Sequence, residues 1–479
     1  MTATTCAETD EHIICCLHYK VIEASADLAA LNEIFSQFKF PSIIGGNKAK
    51  ADADRFSYWA AEPKEIFEFR DGSERPFEKL QKNLDKYKLK TEQDNHLPKG
   101  IFCGGWIGYF SYELGRYIER LPRTTTDDLE MPLMRLCFYD KVLCYDHIDK
   151  KFWLIALELP GDIEKPKGKL DALEKILVQS QNLSVPIPAP AEIENIDVSN
   201  IRCNMDKDYY IRSVEKIKRY IYDGIVYQVN FSQRFEADYN ARPIDLYHWQ
   251  NQYNASGYAA FIDWDDFSIV SASPEMFITI EDGIISTKPI KGTRPRLADV
   301  EENTKINQRN VNDLLHSQKE RAELNMIIDL ERNDIARICV PGTRKVVQAR
   351  SIESYPTVFH AVATVAGRLR GGICFSEVLK GVFPGGSITG APKVSSMEII
   401  DETEPTERAV YTGSIGFIGI DGNAALNIAI RTIIITGKKA YAQTGGGIVA
   451  DSNVQDEWDE TITKARALLA SIKTVMRSE

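Results

Sequence analysis

Apolar residues alternate with polar ones over many short stretches and recur at helical spacing over a few, which predicts a strand-rich chain with helices between its strands. Residues 13–17 predict a strand; Leu28, Leu31, Ile34 and Phe35 then share one helical face. Residues 56–60, 66–69, 136–145 and 151–156 predict further strands, and 169–180 a helix. Gly104, Gly105 and Gly108 sit among Phe102, Trp106 and Tyr109, as where a strand packs tightly on another backbone. Beyond residue 200, Tyr210, Val214, Ile217 and Ile221 form one stripe of a helix over 206–222. A strand over 226–231 follows, then a meander of strands at 259–262, 268–272 and 277–280, and a helix over 311–329.

Pro186, Pro188 and Pro190 mark the best linker. The chain therefore divides into an N-terminal region, 1–185, a Pro-rich linker, 186–200, and a C-terminal region, 201–479. At 479 residues, with 43% hydrophobic and 27% charged, it can bury a large core as an ordinary soluble protein. A net charge of -11 argues against a nucleic-acid partner, which needs a basic footprint. No apolar run is long enough to span a membrane, and the start lacks the marks of a secretory signal. Nine cysteines, none in a C-x-x-C pair, suit reduced thiols in the cytoplasm.

The candidate chemistry centres on Lys291, bracketed by Pro289 and Gly292 after the apolar run 284–287. This describes an amine held out on a turn at a strand end. Burial, or cations such as Lys288, Arg294 and Arg296, would lower its pKa from roughly 10.4 and make it nucleophilic. Taken alone, the same residues also describe a basic surface turn. Glu320 and Glu323, three apart, share one helix face, as do Glu457 and Glu460, with Lys464 one turn on. Opposed, the two pairs would suit a hard cation; unopposed, they are solvated faces. Two glycine-rich segments, 383–393 before a helix and 445–450 after a strand, could offer amides to anions or simply form tight turns.

Together these stretches resemble component I of the chorismate-utilising enzymes, and within them the aminodeoxychorismate synthase branch. The resemblance rests on 225–230, Ser273-Pro274-Glu275, Pro289 to Thr293, 322–334, Phe383 to Lys393 and 445–461, in family order, with a looser match over 104–112. It implies an α+β fold of large, mainly antiparallel sheets packed face to face, helices outside, the N-terminal part interlocked with the C-terminal. It implies chorismate as substrate and Mg²⁺ as cofactor, with Glu323 and Glu460 as direct ligands and Glu320 and Glu457 as ligands through water. Lys291 would be the nucleophile, Glu275 the general acid, and His360 would flank the ring. Gln228, Thr293, Thr389, Tyr411, Arg431, Lys464 and the segment Gly445, Gly446, Gly447 would bind substrate.

Relatives that activate water carry Lys where this chain has Gln228, and anthranilate synthases carry Ala where it has Lys291. The resemblance thus implies amination of chorismate to 4-amino-4-deoxychorismate, on the way to 4-aminobenzoate and folate, rather than formation of anthranilate. No Cys sits on a glutaminase-type G-x-C-x-G turn, so ammonia would come from a glutamine amidotransferase subunit. No Leu-Leu-Glu-Ser element of the kind that serves feedback inhibition is present. The rivals are anthranilate synthase component I and a catalytically silent chorismate-binding paralogue.

Overall fold

The computed structural model describes residues 12–46, 55–72, 75–90, 97–190, 201–298, 300–355 and 358–476. Its described strands form two sheets. The larger runs, edge to edge, Arg202–Cys203, Gln228–Asp238, Lys439–Ile448, Thr432–Thr436, Phe267–Ser273, Tyr258–Trp264, Ser42–Ile44, Phe56–Ala60, Lys141–Asp146, Lys151–Glu158, Ile13–Ile22 and Tyr87–Leu89. The smaller runs Ile290–Pro295, Val358–Arg368, Ile284–Lys288, Met276–Glu281, Ala424–Asn427, Ser414–Gly419, Gly105–Phe110, Met134–Tyr139 and Glu65–Phe69. Among these pairings only Ile13–Ile22 with Tyr87–Leu89 is parallel.

Both sheets contain strands from before and after the proline-rich stretch, so the expected interlocking is built into the pairing. Ser42–Ile44 pairs with Tyr258–Trp264, and Gly105–Phe110 with Ser414–Gly419. Most of the linker, 191–200, lies outside the described residues; 186–190 have no regular structure.

Alternation along the strands explains the layers, since successive side chains point to opposite faces. In Lys151–Glu158, Phe152 and Leu154 face one core, while Trp153 and Ile155 face the other. The core between the sheets is aromatic: Tyr109 lies edge-on to Phe267, with ring centroids 5.6 Å apart, and Tyr58 edge-on to Phe417 at 5.4 Å. The outer core lies under helices, where Leu31 and Phe35 of Leu28–Phe35, Trp249 of Pro243–Tyr253 and Leu468 and Leu469 of Val454–Met476 cover the larger sheet. Gly108 shows the close approach read from the glycines: a Cβ there would meet the Arg135 carbonyl at 2.0 Å.

Four local expectations are corrected. Strand Met276–Glu281 does not continue the meander of Phe267–Ser273; the chain leaves the larger sheet at Pro274-Glu275 and enters the smaller one. The helix expected over 311–329 is two, Glu301–His316 and Gln318–Ala336, broken at Ser317, whose side chain accepts from the Glu320 amide. Lys291 stands inside strand Ile290–Pro295 and not on a turn. Gly445, Gly446 and Gly447 lie within Lys439–Ile448, paired to Ser232, Phe231 and Asn230, instead of following the strand.

Candidate active site

Two crossings between the sheets frame the site. One is Pro274-Glu275; the other runs from Ala424–Asn427 to Thr432–Thr436 through residues 428–431. They are tied together, because the Ile428 amide donates to the Glu275 carbonyl at 3.0 Å and the Ser273 hydroxyl donates to the Ile428 carbonyl at 2.5 Å. The second crossing ends on Arg431, a non-glycine residue in the left-handed region at φ 49°. Such a conformation is uncommon and persists where the surroundings fix it.

Lys291 owes its aim to a bulge. Ile290 pairs with Val362 and Thr293 with His360, so three steps on one strand face two on its partner, a device that re-aims a side chain. Gly292 makes it possible: its φ is +90°, and a Cβ there would lie 2.8 Å from Leu314 Cδ1 and 2.9 Å from Glu320 Cδ. The half-buried Lys291 donates from Nζ to the Ser387 carbonyl at 3.3 Å. Burial lowers its pKa below the ordinary lysine value, and Lys464 adds to this against the pull of Glu275, Glu323 and Glu460. The three cations proposed from sequence are engaged elsewhere: Lys288 with Glu353, Arg294 with Glu320 at 2.6 Å, and Arg296 with the Tyr355 carbonyl at 3.0 Å.

Glu275 is buried, and its Oε1 has no hydrogen-bond partner. Burial raises its pKa; the Ser387 side chain and the charges of Lys291 and Arg431 only partly offset this. His360 is buried, with Nδ1 on the Thr293 hydroxyl at 2.8 Å and Nε2 unpartnered. Burial and the Arg431 charge push its pKa down to about 3, so it is neutral near pH 7. No described residue pairs with the Arg431 guanidinium, whose pKa burial lowers while Tyr355 and Glu275 pull it back. That leaves its fork for an anion.

Gln228 is buried with Nε2 unpartnered, in the space a Cβ at Gly447 would take. Tyr411 is buried beside Arg408, and the Thr389 hydroxyl donates to the Gly385 carbonyl at 3.0 Å, so its proton is used inside the loop. Lys464 pairs with Glu460 at 2.7 Å and donates to the Gly445 carbonyl at 3.1 Å.

The four glutamates fit a hard cation in donor type. Glu320 Oε2 is buried without a partner, Glu323 and Glu460 both act on Lys291 from different helices, and burial and Glu460 raise the Glu457 pKa. Among the described residues no three of them come within 4.8 Å of one another; the trio that does, Glu33, Asp245 and His248, already holds Arg242. Mg²⁺ usually takes only one or two protein carboxylates with water and substrate oxygens, so the looser arrangement does not disqualify the set.

Sequence reasoning assigned no role to Ser387, Glu331, Asp334 or Lys393. Glu331 accepts the Gly386 amide at 3.2 Å; Lys393 donates to Asp334 at 2.6 Å and to the Pro384 carbonyl at 2.7 Å. These buried and half-buried groups clamp the loop that presents Ser387 to Lys291. The signal was present, since all four stand inside or beside the motifs already singled out.

A family model described as chorismate binding enzyme matches residues 47–470. Aminodeoxychorismate synthase component 1 of Bacillus subtilis is 38% identical over 385 residues, covering 80% of each chain. Anthranilate synthase component 1 of Acetivibrio thermocellus is 35% identical, covering 97% of this chain and 98% of that one. Among solved structures, anthranilate synthase component I from Streptococcus pneumoniae superposes with a TM-score of 0.74 at 31% identity, covering 93% of this chain and 99% of that one. The menaquinone-specific isochorismate synthase of Escherichia coli shares the fold, with a TM-score of 0.67 at 16% identity over 95% and 94%. No described helix is long and apolar enough to cross a membrane. With most of its length matched by the family model and by relatives at this identity, the chain belongs to the chorismate-binding enzyme family.

Proposed function

We propose that the chain is an aminodeoxychorismate synthase component I, a cytoplasmic transferase that aminates chorismate to 4-amino-4-deoxychorismate with ammonia from a glutamine amidotransferase subunit. The observation that carries this is Lys291: a bulge aims a pKa-lowered amine into the site that also holds the buried acid Glu275.

The neutral Lys291 amine attacks the ring carbon that bears no leaving group. The ring π electrons shift, the C–O bond to the hydroxyl two carbons away breaks, and Glu275 gives its proton to the departing oxygen, which leaves as water. Ammonia then bonds to the carbon that lost the hydroxyl, the π electrons shift back, and the bond to Lys291 breaks. The proton shed by the incoming nitrogen restores Glu275.

Arg431, Tyr411, Lys464 and the amides around Gly446 hold the substrate carboxylates, and neutral His360 flanks the ring without adding charge. Glu323 and Glu460 would hold Mg²⁺, with Glu320 and Glu457 supporting it through water. When bound, the ion neutralises a substrate carboxylate, which lets a dianion settle in an acidic protein.

Relatives named anthranilate synthase favour a second reading, direct attack by ammonia on the path to anthranilate. Lys291 argues against it, since direct attack has no use for that amine. The test is to incubate the purified chain with chorismate, Mg²⁺ and an ammonium salt and identify the product by mass and absorbance. Anthranilate as the sole product rejects the first reading, and glutamine-supported turnover by this chain alone rejects the need for a partner.

A further inference from the structure

Arg431 ends a crossing between the sheets without an ion pair among the described residues, and a fork that is to grip an anion needs a group behind it to fix its aim. The polar neighbours that pull on its charge are Tyr355 and Glu275, and Arg431 acts in turn on His360. Glu275 and His360 already have places in the proposed chemistry. Tyr355 has none.

Tyr355 is buried where the two crossings meet. Its amide donates to the Val358 carbonyl at 2.8 Å and its carbonyl accepts from Arg296 at 3.0 Å, so the backbone is held from both sides. Its ring lies edge-on to His360, with centroids 5.2 Å apart. Its hydroxyl lies 3.5 Å from the carbonyl of Pro274, the residue before Glu275, and 3.1 Å from Glu353 Oε2. The nearer and charged acceptor takes the hydrogen. Glu353 is itself fixed, because its Oε1 pairs with Lys288. A phenol that gives its hydrogen to a carboxylate keeps a more negative oxygen for a cation on its other side, since linked hydrogen bonds polarise one another. Here that cation is Arg431. From Lys288 through Glu353 and Tyr355 to Arg431, each group meets a neighbour of opposite polarity.

We infer that Tyr355 is a positioning residue: at the end of the chain Lys288–Glu353–Tyr355 it fixes the Arg431 fork, and through it the place of a substrate carboxylate relative to Glu275 and His360. The inference rests on the proposed hold of Arg431 on that carboxylate.

The test is a double-mutant cycle on chorismate binding, read by calorimetry with Mg²⁺ present, and on chorismate KM and kcat with an ammonium salt. Tyr355→Phe keeps the ring on His360 and removes only the hydroxyl. It is expected to weaken binding and raise KM by about threefold to tenfold, the factor one hydrogen bond is worth, with kcat and melting temperature near the parent values. In an Arg431→Gln background the same change should cost nothing further, which a general loosening of the wall would not reproduce. Glu353→Gln, which removes the charge behind the phenol, should act in the same direction and also fall silent in that background; it decides alone if Tyr355→Phe fails to fold. Binding at the parent's strength in folded Tyr355→Phe, or losses that simply add to those of Arg431→Gln, overturns the positioning role and leaves the Arg431 contact standing. Arg431→Gln that binds chorismate like the parent overturns that contact and the inference together.

Discussion

Lys291 and Ser387, 96 residues apart in sequence, meet at 3.3 Å with the amine donating to a backbone carbonyl. A carbonyl can orient a neutral amine without the charge attraction by which a carboxylate would hold its extra proton. The contact therefore suits a nucleophile better than a structural cation. Lys291→Ala is expected to slow formation of the 4-amino product and shift the remainder toward the 2-amino isomer or anthranilate, because ammonia can enter the space left. Product analysis at saturating chorismate reads this, with intact-protein mass spectrometry for the adduct on the parent. An Ala variant that makes only 4-amino-4-deoxychorismate at the parent's rate, with no adduct on the parent, removes Lys291 from the chemistry.

Glu323→Gln and Glu460→Gln should each abolish turnover and weaken Mg²⁺ binding measured by calorimetry, with the fold retained by circular dichroism. Glu460 is more than half exposed and paired only with Lys464, so its charge contributes little to stability. Turnover that survives both substitutions, or exhaustive chelation, refutes the ligand assignment.

His360 makes acid stability testable. Its folded pKa is about 3, against roughly 6.5 for an unfolded histidine. Between those values the unfolded chain binds a proton that the folded one refuses, so stability falls as pH falls, by up to about 1.4 kcal/mol per pH unit from this group. His360→Asn should lose less stability than the parent between pH 7 and pH 5 in urea melts, pH values chosen to lie within and just above that range of about 3 to 6.5. Equal losses would mean that His360 is not held neutral.

The loop clamp has a sharper cost. Lys393→Met removes the cation that hydrogen-bonds the buried Asp334 carboxylate, a change typically worth about 3–5 kcal/mol. Adding Asp334→Leu should recover much of it. If Lys393→Met alone melts like the parent, the pair does not anchor the loop.

What the sequence disclosed and withheld follows from what its patterns encode. Alternation in 268–272 and 277–280 tells which face each side chain takes but not which strand lies alongside, so the crossing at Glu275 was read as a meander. Lys291 was legible from Pro289 and Gly292, yet the bulge that aims it is a mismatch with Val358–Arg368, visible only once the strands are paired. The break at Ser317 was legible and missed, since Ser317 with Glu320 three residues on is a helix-start signature. The glutamate pairs were legible because helical spacing alone puts i and i+3 on one face.

Each sheet joins one block of strands from before the proline-rich stretch to one block from after it along a single seam, and this has a consequence for cutting the molecule. Either piece of a chain severed between Lys151–Glu158 and Lys207–Tyr222 would carry raw strand edges, Gly105–Phe110 in one and Ser414–Gly419 in the other. Unpaired edges are templates for pairing, and here the fitting template is the missing piece. Two separately expressed fragments should therefore reassemble into a working enzyme on mixing, while either one alone should aggregate.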